Sequence, residues 1–453
     1  MNLPSLVRRV TGPIDDSNVD RLTADDHLFV MMGNTLGLPV VTQTLWHFPG
    51  DIDIDALEAV ATRMRHGRLS RLVATHPGPG RAHWRYTPDA GLVTVQTDTV
   101  PVGDEELWGR RMAAHPLDIT HGPSWRMDIA RTADGGAVLA SLTINHAIAD
   151  GGTGTMAIIE AVHDVDYAAG ADPGLYSNVR DAADLVWTAA RTGFEVWRSS
   201  RSGPPASPAR VTGGPAPAPA AALTAAEITP NVTMRIPVAD YTAAAATRGG
   251  TDNSLFAALM VGVLERSGRV SSGDVVPVSL PVSSRTTDDR RANATSGATA
   301  FVEVLPGRYE DLSGIRAACK EAYGRLAANS GVVAQRAVIL QALSESMTRR
   351  LAANATTPLC LASNVGAFPD EFATLGTGVR GAIAIRAITA TDDATKLRDR
   401  NGGISGWCGV DDDHVMFSIS SLDPARIPDA HTLRRLVTDE LAAWDLHGKP
   451  WGA

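Results

Sequence analysis

Residues 201–222, "RSGPPASPARVTGGPAPAPAAA", hold almost no large apolar side chain and are dense in proline, alanine and glycine. A stretch of this kind cannot bury a core. Proline locks its own φ and has no amide hydrogen, so the segment reads as a semi-rigid, extended linker. It divides the 453 residues into two halves, each of the size of a usual domain, roughly 100–200 residues. Residues 1–200 form an N-terminal lobe on this reading, 201–225 a linker, and 226–453 a C-terminal lobe.

Both halves alternate strand and helix signals. In the first, residues 39–48 ("PVVTQTLWHF") alternate apolar and polar and predict a strand. Leu57, Val60, Ala61 and Met64 then fall at helical spacing behind a capping Asp53. Residues 104–115 predict a further helix. Residues 124–131 and 137–145 predict a strand pair joined by the turn residues "TADGG". Helices follow over 154–165 and 179–200. In the second half, strands are predicted at 232–237, 274–285, 299–306, 358–366, 381–388, 403–410 and 414–422. Helices are predicted at 253–266, 312–329, 332–352 and 430–444. The fold class is therefore α/β, with mixed sheets in two lobes.

Composition removes several functions. A formal charge of −9 gives no broad attraction to nucleic acid or anionic lipid. Three widely spaced cysteines, Cys319, Cys360 and Cys408, make neither a metal spacing nor a disulfide framework, which suits a reducing cytoplasm. The first residues show no secretion signal, and no apolar run approaches the roughly 18 residues of a membrane span.

The chemistry is concentrated in "SLTINHAIADGGTGTMAIIEAV", residues 141–162. A buried-strand pattern ends at His146. Asp150 follows four residues later, then Gly151 and Gly152, which permit a sharp turn with positive φ, and then a helix. Neutral imidazole is the natural group to take a proton from a hydroxyl or amine near neutral pH. With no covalent nucleophile nearby, direct attack of an acceptor on a thioester is the simplest reaction. The plainer alternative is a helix-preceding turn in which Asp150 caps the helix and His146 is a satisfied core residue.

"INHAIADGG" resembles the His-x-x-x-Asp-Gly motif of the chloramphenicol-acetyltransferase-like superfamily. That superfamily includes wax ester synthase/diacylglycerol acyltransferases, condensation domains of nonribosomal peptide synthetases and plant-type (BAHD) acyltransferases. "LTADDHLFVMM" (22–32) is similar to the opening Leu-Ser-x-x-Asp segment of the wax ester synthase branch. "RHGRLSRLV" (65–73) is similar to the Arg-His-x-x-Leu-Arg helix end of condensation domains. "PLDITHGPSWRMDIA" (116–130) resembles a Pro-Leu-Asp…Pro-Leu-Trp-Arg segment, with Ser124 where leucine is usual. "VPVSLPVSSR" (276–285) and "SNVGAFP" (363–369) resemble two segments of the second lobe. Position 145 is asparagine where two of these branches carry a first histidine.

The resemblance implies two chloramphenicol-acetyltransferase-like lobes with a tunnel between them and His146 as general base at its centre. Asp150 would be structural and pair with an arginine, either Arg126 or Arg285. Gly151 N–H groups or the Asn364 region would stabilise the oxyanion. The implied activity is acyl transfer from coenzyme A, as co-substrate, to a hydroxyl or amine of a small-molecule or lipid acceptor. A condensation-type enzyme with donors on an acyl or peptidyl carrier protein is the alternative, as is a non-catalytic relative that binds a thioester or partner. No bound cofactor, metal or nucleic acid is implied; the location is cytoplasmic, with peripheral membrane contact left open.

Other signals point elsewhere. "GTGVRG" (376–381) matches a dinucleotide pattern but leads into a strand rather than a helix. "DDDH" (411–414) lies between two strands and reads as a solvated turn. His163 and Asp166 have a metal-like spacing with no third ligand near in sequence. Trp187, Phe194 and Trp197 form a helical stripe that reads as core.

Overall fold

The computed structural model describes residues 19–75, 80–200, 229–286, 289–341, 347, 350, 357–389, 397 and 402–452. The linker at 201–225 lies outside the described residues. In chain order the first half contains α1 (Ala24–Asn34), β1 (Val40–Pro49), α2 (Ile54–Met64), β2 (Arg71–Ala74), β3 (His83–Tyr86), β4 (Gly91–Val95), α3 (Glu105–Ala113), β5 (Trp125–Arg131), β6 (Ala137–Asn145), α4 (Gly151–Val162) and α5 (Leu175–Ser200). The second half contains β7 (Asn231–Pro237), α6 (Val238–Ala246), α7 (Asp252–Arg266), β8 (Val275–Ser283), β9 (Thr295–Glu303), α8 (Ser313–Gln341), β10 (Cys360–Ala367), α9 (Asp370–Thr374), β11 (Ala382–Thr389), β12 (Ile404–Asp411), β13 (His414–Ser421), α10 (Ala430–Ala442) and β14 (Lys449–Pro450).

Two sheets organise two lobes. The first has the order β11-β1-β6-β5-β4 and the second β14-β7-β13-β12-β10-β8-β9. The first sheet is thus completed by a strand from the second half. β11 pairs antiparallel with β1 from Val40↔Thr389 to His47↔Ala382. Arg386 of β11, 2% exposed, donates to Gln43 of β1 and to Asn231 of β7 and so joins the two sheets. Burial pushes its pKa down to about 9.

α7 is buried from Ser254 through Leu264, the all-round apolar pattern of a core helix. It centres the second lobe's core with Val276, Val278, Phe417 and Trp444. Gly262 allows α10 to approach: a Cβ there would lie 1.9 Å from Glu440 Oε1. The first core gathers Trp46, Phe48, Trp125 and Ile158 together with Phe372 and Ile383 of the second half. Each fully buried side chain of this size contributes about 1.5–3 kcal/mol.

Some expectations change. The helices predicted at 312–329 and 332–352 begin as one continuous helix, α8, which runs through Gly331; a glycine in a helix costs only about 1 kcal/mol relative to alanine. Trp187 is 64% exposed, so the predicted core stripe does not face the core at that residue. The side chains of Phe194 and Trp197 lie outside the described set. "GTGVRG" forms a turn before β11, with Gly376 and Gly378 at φ of +75° and +76°. "DDDH" is the β12–β13 hairpin, with Asp412 at φ +55°. His163 caps α4 and meets Glu371 at 3.0 Å.

Candidate active site

β6 is buried along its whole length and delivers His146 at its end. The His146 N–H still donates to Val40 O (2.9 Å), which keeps the residue in register with β1. The chain then turns. Asn145 Oδ1 accepts the Ala147 N–H at 3.0 Å, and Asn145 O accepts that of Ile148. Position 145 therefore works as a turn former, which explains how asparagine serves there. Ala147, Ile148 and Ala149 are all within 1% of full burial and anchor the loop in the first core.

Asp150 caps α4 by accepting the Thr153 N–H at 2.8 Å. Its carboxylate also receives Arg285 Nη2 at 2.8 and 3.0 Å, Ala294 N–H at 2.8 Å and Thr295 Oγ1 at 3.3 Å. Burial alone would raise this carboxyl's pKa. The Arg285 charge and the two amide donors outweigh burial and hold it below the usual carboxylate value. Of the two arginines expected for this role, Arg285 takes it. Arg126 makes a fork to Asp128 on its own strand instead, at 2.6 Å for both contacts. The reason is geometric: alternate residues of a strand share a face.

The glycines act differently from the expectation. Neither Gly151 nor Gly152 has positive φ; both are in the first turn of α4. At Gly152 a Cβ would come 3.1 Å from Arg285 Nε, so a larger residue there would press on the guanidinium of the ion pair. A Cβ at Gly151 would meet no atom within 4 Å. The first N–H groups of a helix lack intrahelical acceptors and carry the positive end of its dipole. Asn364 lies within β10 at a break in its register with β12; its Nδ2 donates to Asn253 Oδ1 (3.3 Å) and its Oδ1 accepts Gly366 N–H (2.9 Å). It makes no hydrogen bond to the 145–152 loop among the described residues.

His146 itself is half-buried. Its Nδ1 lies 3.0 Å from Asn293 Oδ1, and its ring stacks on Phe29 with centroids 3.9 Å apart and planes 13° from parallel. Burial lowers its pKa below the ordinary imidazole value, against an opposing pull from the Asp150 charge. Asn293 and Asp26 are fully buried. Asp26 Oδ1 accepts both the backbone N–H (2.8 Å) and Nδ2 (3.2 Å) of Asn293. Asp26 also closes a capping box with Thr23 at the start of α1.

The segment before β9 is the second lobe's contribution. Arg68 reaches Asp289 O, Arg71 reaches Arg290 O, and Thr153 Oγ1 reaches Ala292 O. Asp150 N–H also donates to Ala292 O (3.0 Å). These bonds clamp residues 289–295 over the histidine loop. No sequence pattern assigns a role to Asn293, Asp26 or Phe29. Asp26 fell within the similar segment 22–32, whereas "RRANATSG" carried no pattern.

A cavity of about 580 Å³ opens at the N-terminal end of α1, reaching Arg290 and Arg291 of the clamped segment but none of residues 145–152. Its lining mixes Arg21, Arg81, Arg180, Arg290 and Arg291 with Asp20, Asp181 and Asp184, and Arg81 pairs with Asp181 and Arg290 with Asp20, both at 2.7 Å. Among the described residues, no group of three or more His, Cys, Asp or Glu is placed to hold a metal ion, and no helix is long and apolar enough to cross a membrane.

No family model matches the chain, and no curated protein sequence matches it. Solved structures do. The first condensation domain of the CDA synthetase superposes with a TM-score of 0.57 at 16% identity, covering 96% of this chain and 100% of that one. The wax ester synthase/diacylglycerol acyltransferase from Marinobacter aquaeolei VT8 gives 0.54 at 13%, covering 94% and 98%. Polyketide synthase associated protein 5 from Mycobacterium tuberculosis gives 0.53 at 14%, covering 92% and 97%. The chain has the two-lobed fold of these proteins over nearly its whole length.

Proposed function

We propose that the protein is an acyltransferase that moves an acyl group from a thioester, coenzyme A first, to a hydroxyl or amine acceptor. The observation that carries this reading is the His146 arrangement. A neutral imidazole ends a buried strand, is stacked on Phe29, and has one nitrogen engaged by Asn293 and the other without a protein partner among the described residues. A core histidine that served packing alone would have no need of a loop locked from both lobes.

In the reaction, Nε2 takes the proton from the acceptor O–H or N–H as that heteroatom bonds to the thioester carbonyl carbon. The carbonyl electrons move onto oxygen. When they return, the C–S bond breaks and the thiolate takes the proton back from Nε2. A base so placed contributes about 10²- to 10⁴-fold in rate. The N–H groups of Gly151 and Gly152, in the first turn of α4, are the proposed donors to the transient oxyanion.

A carrier-bound donor is the second reading, favoured by the likeness to a condensation domain over the whole of that domain. Free-thiol release from short- to long-chain acyl-CoAs, with pooled alcohols and amines, tests the proposal. Acceptor-dependent release by the folded protein that vanishes in His146→Ala supports it. No release from any CoA but turnover with an acylated carrier moves the donor to the second reading. No turnover with either donor overturns catalysis and leaves a binding protein.

A further inference from the structure

We propose that Asn293, held by Asp26, fixes His146 as the tautomer that carries its proton on Nδ1, and that the second lobe thereby prepares the base. The activity arm of this inference rests on the acyltransfer reading; its structural arm does not.

Donors and acceptors decide the tautomer. The two ends of a carboxamide are told apart by their partners. One end of the Asn293 amide lies 3.2 Å from Asp26 Oδ1 and 3.2 Å from Ala147 O. A carboxylate and a carbonyl can only accept. That end is therefore the NH₂ group, and the end 3.0 Å from His146 Nδ1 is the carbonyl oxygen. A carbonyl cannot donate, so Nδ1 must carry the hydrogen. A neutral imidazole has one N–H, so Nε2 keeps its lone pair. Free imidazole side chains in water favour the opposite arrangement.

Asp26 has the capacity to enforce this. Its Oδ1 takes two donors from Asn293, and its Oδ2 takes the Thr23 N–H at 2.9 Å. Its burial excludes water as a competing partner. Phe29 follows one turn later on α1 and fixes the ring plane. One helix thus sets the plane directly and the proton through Asn293. Asn293 and Asp26 touch no reacting atom; they are positioning residues. Asn293 belongs to the segment clamped by Arg68, Arg71 and Arg285, so the base is prepared only where the lobes meet.

The test is histidine-selective ¹⁵N NMR of the full chain near neutral pH, with the His146 signals assigned by their loss in His146→Gln. The two nitrogens report directly which one is protonated. The expected wild-type result is a protonated Nδ1 and a bare Nε2; the reverse overturns the inference without any variant. In Asn293→Leu the Nε2–H form should appear and kcat should fall in proportion to the Nδ1–H fraction lost, with the about 10²- to 10⁴-fold worth of a positioned base as the ceiling and KM little changed. In Asp26→Asn, whose side-chain carbonyl still accepts from Asn293, the tautomer should persist. A folded Asn293→Leu protein with unchanged tautomer and kcat overturns the inference. Absence of thiol release in the wild type sinks the acyltransfer reading alone, because the spectrum stands apart from it.

Discussion

Asp150 and Arg285 are separated by 135 positions, yet one guanidinium nitrogen lies 2.8 and 3.0 Å from the two carboxylate oxygens. Their side chains are 8% and 7% exposed. Removing one partner of such a pair leaves the other as a buried, uncompensated charge, at a cost of about 3–5 kcal/mol. Arg285→Ala is expected to lose stability in that range in denaturant titrations and to lose turnover with it. Arg285→Lys should not restore it, because the second contact, Nη1 to Arg291 O at 2.9 Å, needs the guanidinium fork.

Activity should follow the neutral form of His146. Burial lowers its pKa, so the base stays competent below the ordinary imidazole value of about 6.5. The acidic limb of the kcat/KM profile is expected below that value. A limb at or above it would contradict the buried setting. The same shift has a stability consequence. A histidine whose folded pKa is depressed supports the fold fully above its unfolded value, and that support is lost as pH falls through the lower folded value. Asp150 acts later in the same direction, since its support is lost only as pH drops through a value below the usual carboxylate range.

Gly151 and Gly262 separate space from packing. A Cβ at Gly151 meets nothing within 4 Å, so Gly151→Ala is expected to leave stability within about 0.5 kcal/mol, as surface changes do. Its KM should rise if substrate fills that space. Gly262→Ala drives a methyl onto Glu440, which already accepts from Arg266, Tyr309 and Trp444. A loss of about 1–3 kcal/mol is expected, with kcat per folded molecule unchanged. Melting curves and steady-state kinetics on the two variants decide both points.

The cysteines offer a check on the second core. All three are free and buried, and burial pushes the thiols of Cys319 and Cys408 up to about 11 and about 12. Because the thiolate is the nucleophile, alkylation of the native protein near neutral pH should be negligible, and denaturant should release three reactive equivalents. Rapid native labelling would show that this core opens locally.

Much of the site was legible because its parts were adjacent in the chain. His146, Asp150 and the glycines occupy one loop between an apolar strand and a helix, and local patterning reads such units well. Arg285 was legible only as one of two candidates, because nothing in a sequence states which arginine crosses between lobes. Asn293 left no trace, since its role comes from contacts with Asp26 and Ala147, 267 and 146 positions away. The same limit applied to β11. Its alternating residues predicted a strand, but strand character does not name a partner, and its partner is β1. Trp187 shows the converse, in that helical spacing identified a stripe without telling which neighbour, if any, covers it.

The pairing of β1 with β11 also has a consequence for synthesis. Val40 meets Thr389 across the edge of the first sheet. At about 5–20 residues per second, a ribosome takes on the order of 20–70 s to travel between the two positions. For that interval β1 has no neighbour on one side, and an unpaired edge is a template for association with other chains. The proline-rich crossover is therefore no place to cut this protein in two. The first half, released alone, would carry an open edge, and the nascent chain needs that edge shielded until Ala382–Thr389 emerges.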